Sequence, residues 1–177
     1  MKTIITALVL VLFTTLSFSQ DVKYGVRGGF NISNLDFDPD ATFENKHRNS
    51  FAFGGFVDFG LGEKFSILTE LQYSAEGGGK DESLRANFVQ VPVLVRVKIG
   101  DSFLIGAGPQ LSLKSWFHED GIKNLTFSVV GGVEYMLNDE LFIDARYTYG
   151  LSNILDGNAA GLEAKNTNIQ IGFGIKI

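Results

Sequence analysis

From Val22 to the final Ile177, apolar and polar residues alternate with a period of two through eight successive segments. In the first, Val22, Tyr24, Val26, Phe30 and Ile32 occupy one face, and Lys23, Gly25, Arg27, Asn31 and Ser33 the other. The fourth is the cleanest, with Val89, Val91, Val93, Val95, Val97 and Ile99 opposite Gln90, Pro92, Leu94, Arg96 and Lys98. The last sets Ile169, Ile171, Phe173, Ile175 and Ile177 against Asn168, Gln170, Gly172, Gly174 and Lys176. Each segment predicts a β-strand. Every charge within them falls on the second face, and the first carries none.

Alternation alone does not say which face is outside. A soluble lipocalin-type barrel has eight strands with the apolar face inward, and a membrane barrel is turned the other way. Three features favour the membrane arrangement. The polar face is rich in Gly, Ser, Gln and Asn, which suit a cramped interior better than a solvated surface. The apolar face is bulky and free of charge, as lipid contact requires when a charge near the midplane costs about 2–4 kcal/mol. The connections also alternate: 35–49, 76–86, 114–124 and 152–166 are long and polar, whereas 62–64, 100–102 and 138–140 are tight turns. Long extracellular loops, short periplasmic turns and two periplasmic ends are the pattern of outer-membrane barrels.

The predicted fold is therefore an all-β, eight-stranded antiparallel up-and-down transmembrane barrel. Tyr24, Phe51, Phe65, Tyr73, Phe103, Phe127, Tyr135 and Tyr149 fall near strand ends, where interfacial aromatics anchor a barrel. Pro92 and Pro109 each remove a ladder donor inside a strand, and a bulge is expected at each.

Composition narrows the chemistry. The 177 residues include no cysteine, which excludes disulfides, thiolate metal sites and a cysteine nucleophile. A net charge of −5 argues against nucleic acid, whose phosphates call for a basic footprint. At the start, Lys2, the apolar run 4–16 and the small residues Ser17 and Ser19 read as a secretory signal cleaved after Ser19. Residues 1–19 are thus expected to be the signal and 20–177 the barrel domain, located in the outer membrane.

Ten charges point inward: Lys23, Arg27, Asp58, Glu70, Arg96, Lys98, Glu134, Asp144, Arg146 and Lys176. Side chains fill an eight-stranded barrel, and an unpaired buried charge is costly. Arg27, Asp58, Glu70, Arg96, Glu134, Asp144 and Arg146 are therefore expected to form a structural charge network; the alternative is a narrow ion path gated by Glu70, Arg96, Glu134 and Arg146. Asp36, Asp38, Asp40 and Glu44 alternate as calcium ligands can, but Ala41 and His47 stand where an EF-hand has Gly and Glu. A solvated acidic loop is the expectation. His47 and His118 fall in long connections with no spacing that suggests a nucleophile and base, so no catalytic, cofactor or metal site is predicted. Trp116 and Phe117 are expected to anchor their loop at the outer interface.

Several stretches resemble the small outer-membrane β-barrel domain of Bacteroidota envelopes, the PorT-like or porin family. They are Tyr24-Gly25-Val26-Arg27-Gly28-Gly29-Phe30-Asn31, Phe88-Val89-Gln90-Val91-Pro92-Val93-Leu94, Gly106-Ala107-Gly108-Pro109-Gln110 and Arg146-Tyr147-Thr148-Tyr149-Gly150-Leu151-Ser152-Asn153-Ile154. The resemblance implies the fold and is uninformative about activity. One branch of the family serves secretion and gliding, but its members are longer and that role is not carried over. By analogy with other eight-stranded barrels, the expected role is structural, adhesive or one of surface interaction, without an open pore. Expected partners are lipopolysaccharide, the barrel-insertion machinery reading Phe173 and Ile177, and an extracellular ligand at the long loops.

Overall fold

A computed structural model describes residues 21–40, 42, 45–78, 84–115, 121–156 and 161–177. Eight strands follow in chain order: β1 (Val22–Asp38), β2 (Arg48–Gly60), β3 (Phe65–Gly77), β4 (Arg85–Ile99), β5 (Phe103–Lys114), β6 (Leu125–Met136), β7 (Leu141–Gly150) and β8 (Glu163–Lys176). Each pairs antiparallel with the next, and β8 pairs with β1 to close the barrel. Closure removes every sheet edge, as it must where no water can satisfy a free backbone group.

The offset of that closure sets the barrel's width. Val22 pairs with Phe59, Phe59 with Ile67, Ile67 with Val95, and Val95 with Ala107. Ala107 pairs with Gly131, Gly131 with Tyr147, Tyr147 with Ile169, and Ile169 with Ile32. One circuit thus returns to β1 ten residues beyond its start, 32 − 22. With strands about 4.8 Å apart and about 3.3 Å of rise per residue, this gives a tilt of roughly 40° and a backbone radius of roughly 8 Å. The offset is even, so an inward residue stays inward all the way round.

Tyr24, Val26, Phe53, Leu71, Val95, Ile105, Val133, Ile143 and Ile171 stand exposed on the outer surface, and Arg27, Asp58, Glu70, Arg96, Glu134, Asp144 and Arg146 are buried within. Two expectations need correction. The strands rise further on the long-connection side than alternation indicated: β1 reaches Asp38, β3 reaches Gly77, and β8 begins at Glu163. Beyond the apolar belt the outward residues turn polar, so the alternation fades while the backbone pairing continues. The prolines make no bulge. Pairing lapses at Glu70 and Leu71 opposite Val91 and Pro92, and at Val93 and Leu94 opposite Gly108 and Pro109, then resumes in the same register. A missing N–H leaves a gap in the ladder without inserting a residue.

A bulge does occur elsewhere. The β2–β3 ladder ends at Ala52 opposite Ser74 and re-forms as a single bridge between His47 and Gly78. Residues 48–51 of β2 therefore face only 75–77 of β3, one extra residue on one side. Side chains replace the missing ladder: Ser50 Oγ donates to Ala75 O (2.6 Å), and Arg48 Nη1 to Glu76 O (2.7 Å).

Candidate functional site

The inward charges form two closed rings. In one, Arg27 pairs with Asp144 and Glu70, and Arg146 pairs with the same two acids, at 2.7 Å to Glu70 and 3.6 Å to Asp144. In the other, Arg96 pairs with Asp58 and, at 2.9 Å, with Glu134; Lys176 completes it at 3.6 Å from Asp58 and 2.8 Å from Glu134. Each ring holds two positive and two negative groups in alternation, so each is neutral. That balance offsets the desolvation that would make any one of these buried charges costly. Lys176, one of the ten inward charges but not one of the seven singled out from the sequence, is the eighth member. Lys23 and Lys98 join neither ring: Lys23 pairs with Asp21, and Lys98 is exposed.

Glycines make room for these side chains in so narrow a cylinder. Arg96 stands directly across from Gly106, Arg146 from Gly132, Asp144 from Gly172, Phe56 from Gly25, and Phe142 from Gly174. A Cβ on Gly106 would fall 2.6 Å from Arg96 Cγ, and one on Gly132 2.8 Å from Arg146 Cγ. Large and small residues therefore alternate around the inside. A void of about 20 Å³ beside Arg96, Glu134, Asp144 and Arg146 has room for about one water molecule.

Above the first ring the interior is polar but nearly uncharged. Arg27 donates to Gln170, Gln170 to Asn31 (2.7 Å), Asn31 to Ser74 (2.9 Å) and Ser74 to Glu76 (2.7 Å). A second chain runs from Gln72 to Gln90 (2.9 Å) and on to Glu76 (3.0 Å). Both end on the Glu76 carboxylate, which also accepts from Asn166 and Asn168. All these bonds point the same way, so they polarise one another toward the carboxylate. Among the described residues, no cation lies within ion-pair distance of Glu76. Over this layer sits an apolar plug of Leu35, Phe37, Ala86, Phe88, Ile122, Ile154 and Ala164.

Glu76, Lys114 and most of this plug fall in stretches where the sequence predicts loops, and the structure places them on or against the strands instead. Lys114 is buried and donates to Ile122 O (3.0 Å). The usable signal was the parity of Leu35 and Phe37, which continues that of Arg27 and Asn31. Asp36 and Asp38 lie on β1 opposite Lys165 and Glu163. His47 sits at the barrel rim, opposite Gly78. The signal segment 1–19, Glu44, Trp116, Phe117 and His118 lie outside the described residues.

The Glu76 carboxylate gives a first prediction. Replacing Glu76 by Gln keeps Oε1 for the Ser74, Gln90 and Asn168 donors. The new amide can donate to Asn166 Oδ1, which has no partner among the described residues, once the Asn166 amide turns over. Glu76→Gln is expected to leave stability unchanged or raise it by about 1 kcal/mol, because the buried charge disappears while the donors stay satisfied. Urea unfolding of the barrel in phospholipid vesicles checks this, and a loss above about 2 kcal/mol would show that the negative charge itself is required.

The family model described as outer membrane protein beta-barrel domain matches residues 5–176. Among solved structures, Neisserial surface protein A superposes with a TM-score of 0.57 at 13% identity, covering 87% of this chain and 97% of its own. Ail, the attachment invasion locus protein of Yersinia pestis, gives 0.51 at 16% identity, covering 88% and 98%. A de novo designed transmembrane β-barrel gives 0.50 at 10% identity, covering 88% and 95%. At these identities the likeness is one of fold. No curated protein matches the chain in sequence.

Proposed function

We propose, from the premise that the chain belongs to the outer membrane protein beta-barrel domain family, that it is a non-conducting barrel acting at the cell surface in a structural, adhesive or interaction role. Its location is the outer membrane. The observation that carries the reading is the pair of neutral charge rings. An ion crossing them would have to break paired, buried groups in a cylinder of roughly 8 Å backbone radius, most of it filled by side chains. What remains for contact with other molecules is the rim and its long connections. Kinship with the Bacteroidota PorT-like branch is part of the proposal, supported by the glycine-rich opening of β1 and the Arg146–Ile154 stretch. So is handling by the barrel-insertion machinery, with Phe173 facing outward on β8 and Ile177 exposed beyond it. The structural neighbours, a surface protein and an attachment invasion protein by name, agree with a surface role.

Conductance tests the reading. Purified protein inserted into planar bilayers is expected to produce no resolved current steps, and deletion of a long connection is expected to leave insertion intact while altering surface contact. Steps of defined size that change in Arg96→Ala or Glu70→Ala would replace it with a narrow channel.

A further inference from the structure

The β2–β3 bulge opens a cleft of about 450 Å³ on the outside of the wall, bordered by His47, Arg48, Phe51, Tyr73, Arg85 and Asn87. Among the described residues no acidic side chain lines it, although the chain as a whole carries −5. Arg48 belongs by parity to the inner face of β2. The bulge lets its guanidinium lie across β3, where it bonds Glu76 O and reaches Asn87 Oδ1 (3.4 Å) on the outward row of β4. A guanidinium has five N–H donors, so these contacts fix its position and leave donors to spare.

The level of the cleft matters as much as its charge. Descending the outward rows, Phe51, Tyr73 and Val89 belong to the apolar belt, and Phe51 is 61% exposed. One outward step higher stand Asn49, Ala75 and Asn87, and one step beyond those come His47 and Arg85. The change from aromatic rings to an imidazole and a guanidinium thus takes only two outward steps, about 13 Å along the strand and about 10 Å along the axis of a barrel whose strands tilt by roughly 40°. It occurs on the side of the long connections, which in such barrels faces outward. Aromatic rings below and guanidinium groups above are what the boundary between acyl chains and a phosphorylated headgroup demands. A cleft elsewhere on the rim, crossing β8 from β1 to β7, has the opposite character and is lined by Asp36, Asp40, Tyr147 and Tyr149. An anionic headgroup is therefore directed to the β2–β4 side.

We propose that this cleft binds the phosphate of an outer-leaflet glycolipid of the lipopolysaccharide class, with Arg48 and Arg85 on the phosphate and an acyl chain over Phe51 and Tyr73. The inference rests on the reading of the chain as a lipid-facing barrel and gives its lipid partner a place.

The test uses the purified barrel in phosphatidylcholine nanodiscs doped with bis-phosphorylated lipid A, with native mass spectrometry reporting the lipid retained. Wild type is expected to retain lipid A over its dephosphorylated form, and Arg48→Gln with Arg85→Gln to lower retention at least tenfold. Both proteins should show the same heat-modifiable gel mobility, which reports an intact barrel. Arg85→Gln alone, on an exposed side chain, keeps the test valid if Arg48→Gln disturbs folding, and should lower retention about threefold. Equal retention by wild type and the variants, or indifference to the lipid's phosphates, would overturn the proposal. So would displacement by millimolar inorganic phosphate, which would make the site one for free anions. Failure of the protein to enter nanodiscs at all would instead refute the lipid-facing barrel itself.

Discussion

Arg27→Ala is expected to lower the unfolding free energy of the barrel by about 3–5 kcal/mol, the range for removing one partner from a buried ion pair. Arg27 donates from Nε to Asp144 Oδ2 (2.9 Å), and its other nitrogens reach Asp144, Gln170 and Glu70. Both side chains of the Arg27–Asp144 pair are almost wholly buried. Without Arg27, two carboxylates share Arg146 alone, and the ring becomes net negative where water cannot screen it. Arg27→Lys should fall between wild type and Ala, because an ammonium keeps the charge but not the planar fork that meets Asp144 twice. Arg27→Leu with Asp144→Leu removes one charge of each sign, leaves the Arg146–Glu70 pair intact, and should recover most of the loss. Urea titrations in phospholipid vesicles measure all three. A cost below about 1 kcal/mol for Arg27→Ala would mean that water reaches the ring, and the argument against ion passage would go with it.

The seven charges named from the sequence could be read because parity is a local property. Arg27 lies two residues from Gly25 and Gly29, and Glu134 two from Gly132 and Met136, all on the face opposite the lipid. Which acid meets which base was not legible, since Arg27 meets Asp144 across 117 positions, and that contact depends on β8 pairing with β1 to complete the circuit. That Leu35, Phe88 and Ile154 pack together in the core is not legible for a different reason. Alternation marks a strand only while its two faces meet different media, and above the lipid both sides of the wall are of mixed polarity. The β2–β3 bulge left no mark either: residues 48–51 contain neither Gly nor Pro, and only the constant register below Ala52 and the His47–Gly78 bridge reveal it.

The pairing of bulky side chains with glycine leads to the other large expected effect. Phe142 is fully buried and meets Phe56 edge to face, with ring centroids 5.7 Å apart and planes inclined at 70°. Lys176 Nζ lies 5.3 Å from the Phe142 ring centroid, which ties this aromatic pair to the second charge ring. Phe142→Ala should cost about 3–5 kcal/mol, the usual range for emptying a buried phenyl site. The partner strand makes the cause testable. Gly174 lies directly across from Phe142, and a Cβ there would fall 2.7 Å from Phe142 Cε1 and 2.9 Å from Val26 O. Gly174→Ala alone should therefore destabilise by overpacking, by about 1–3 kcal/mol. In Phe142→Ala the ring is gone, and the added methyl occupies part of the space it leaves. The double variant should then lose less than the sum of the two, with a coupling of about 1 kcal/mol or more. Strict additivity would show that the Val26 carbonyl, not the ring, is what forbids a side chain at 174, and would confine the large–small rule to the charged rows.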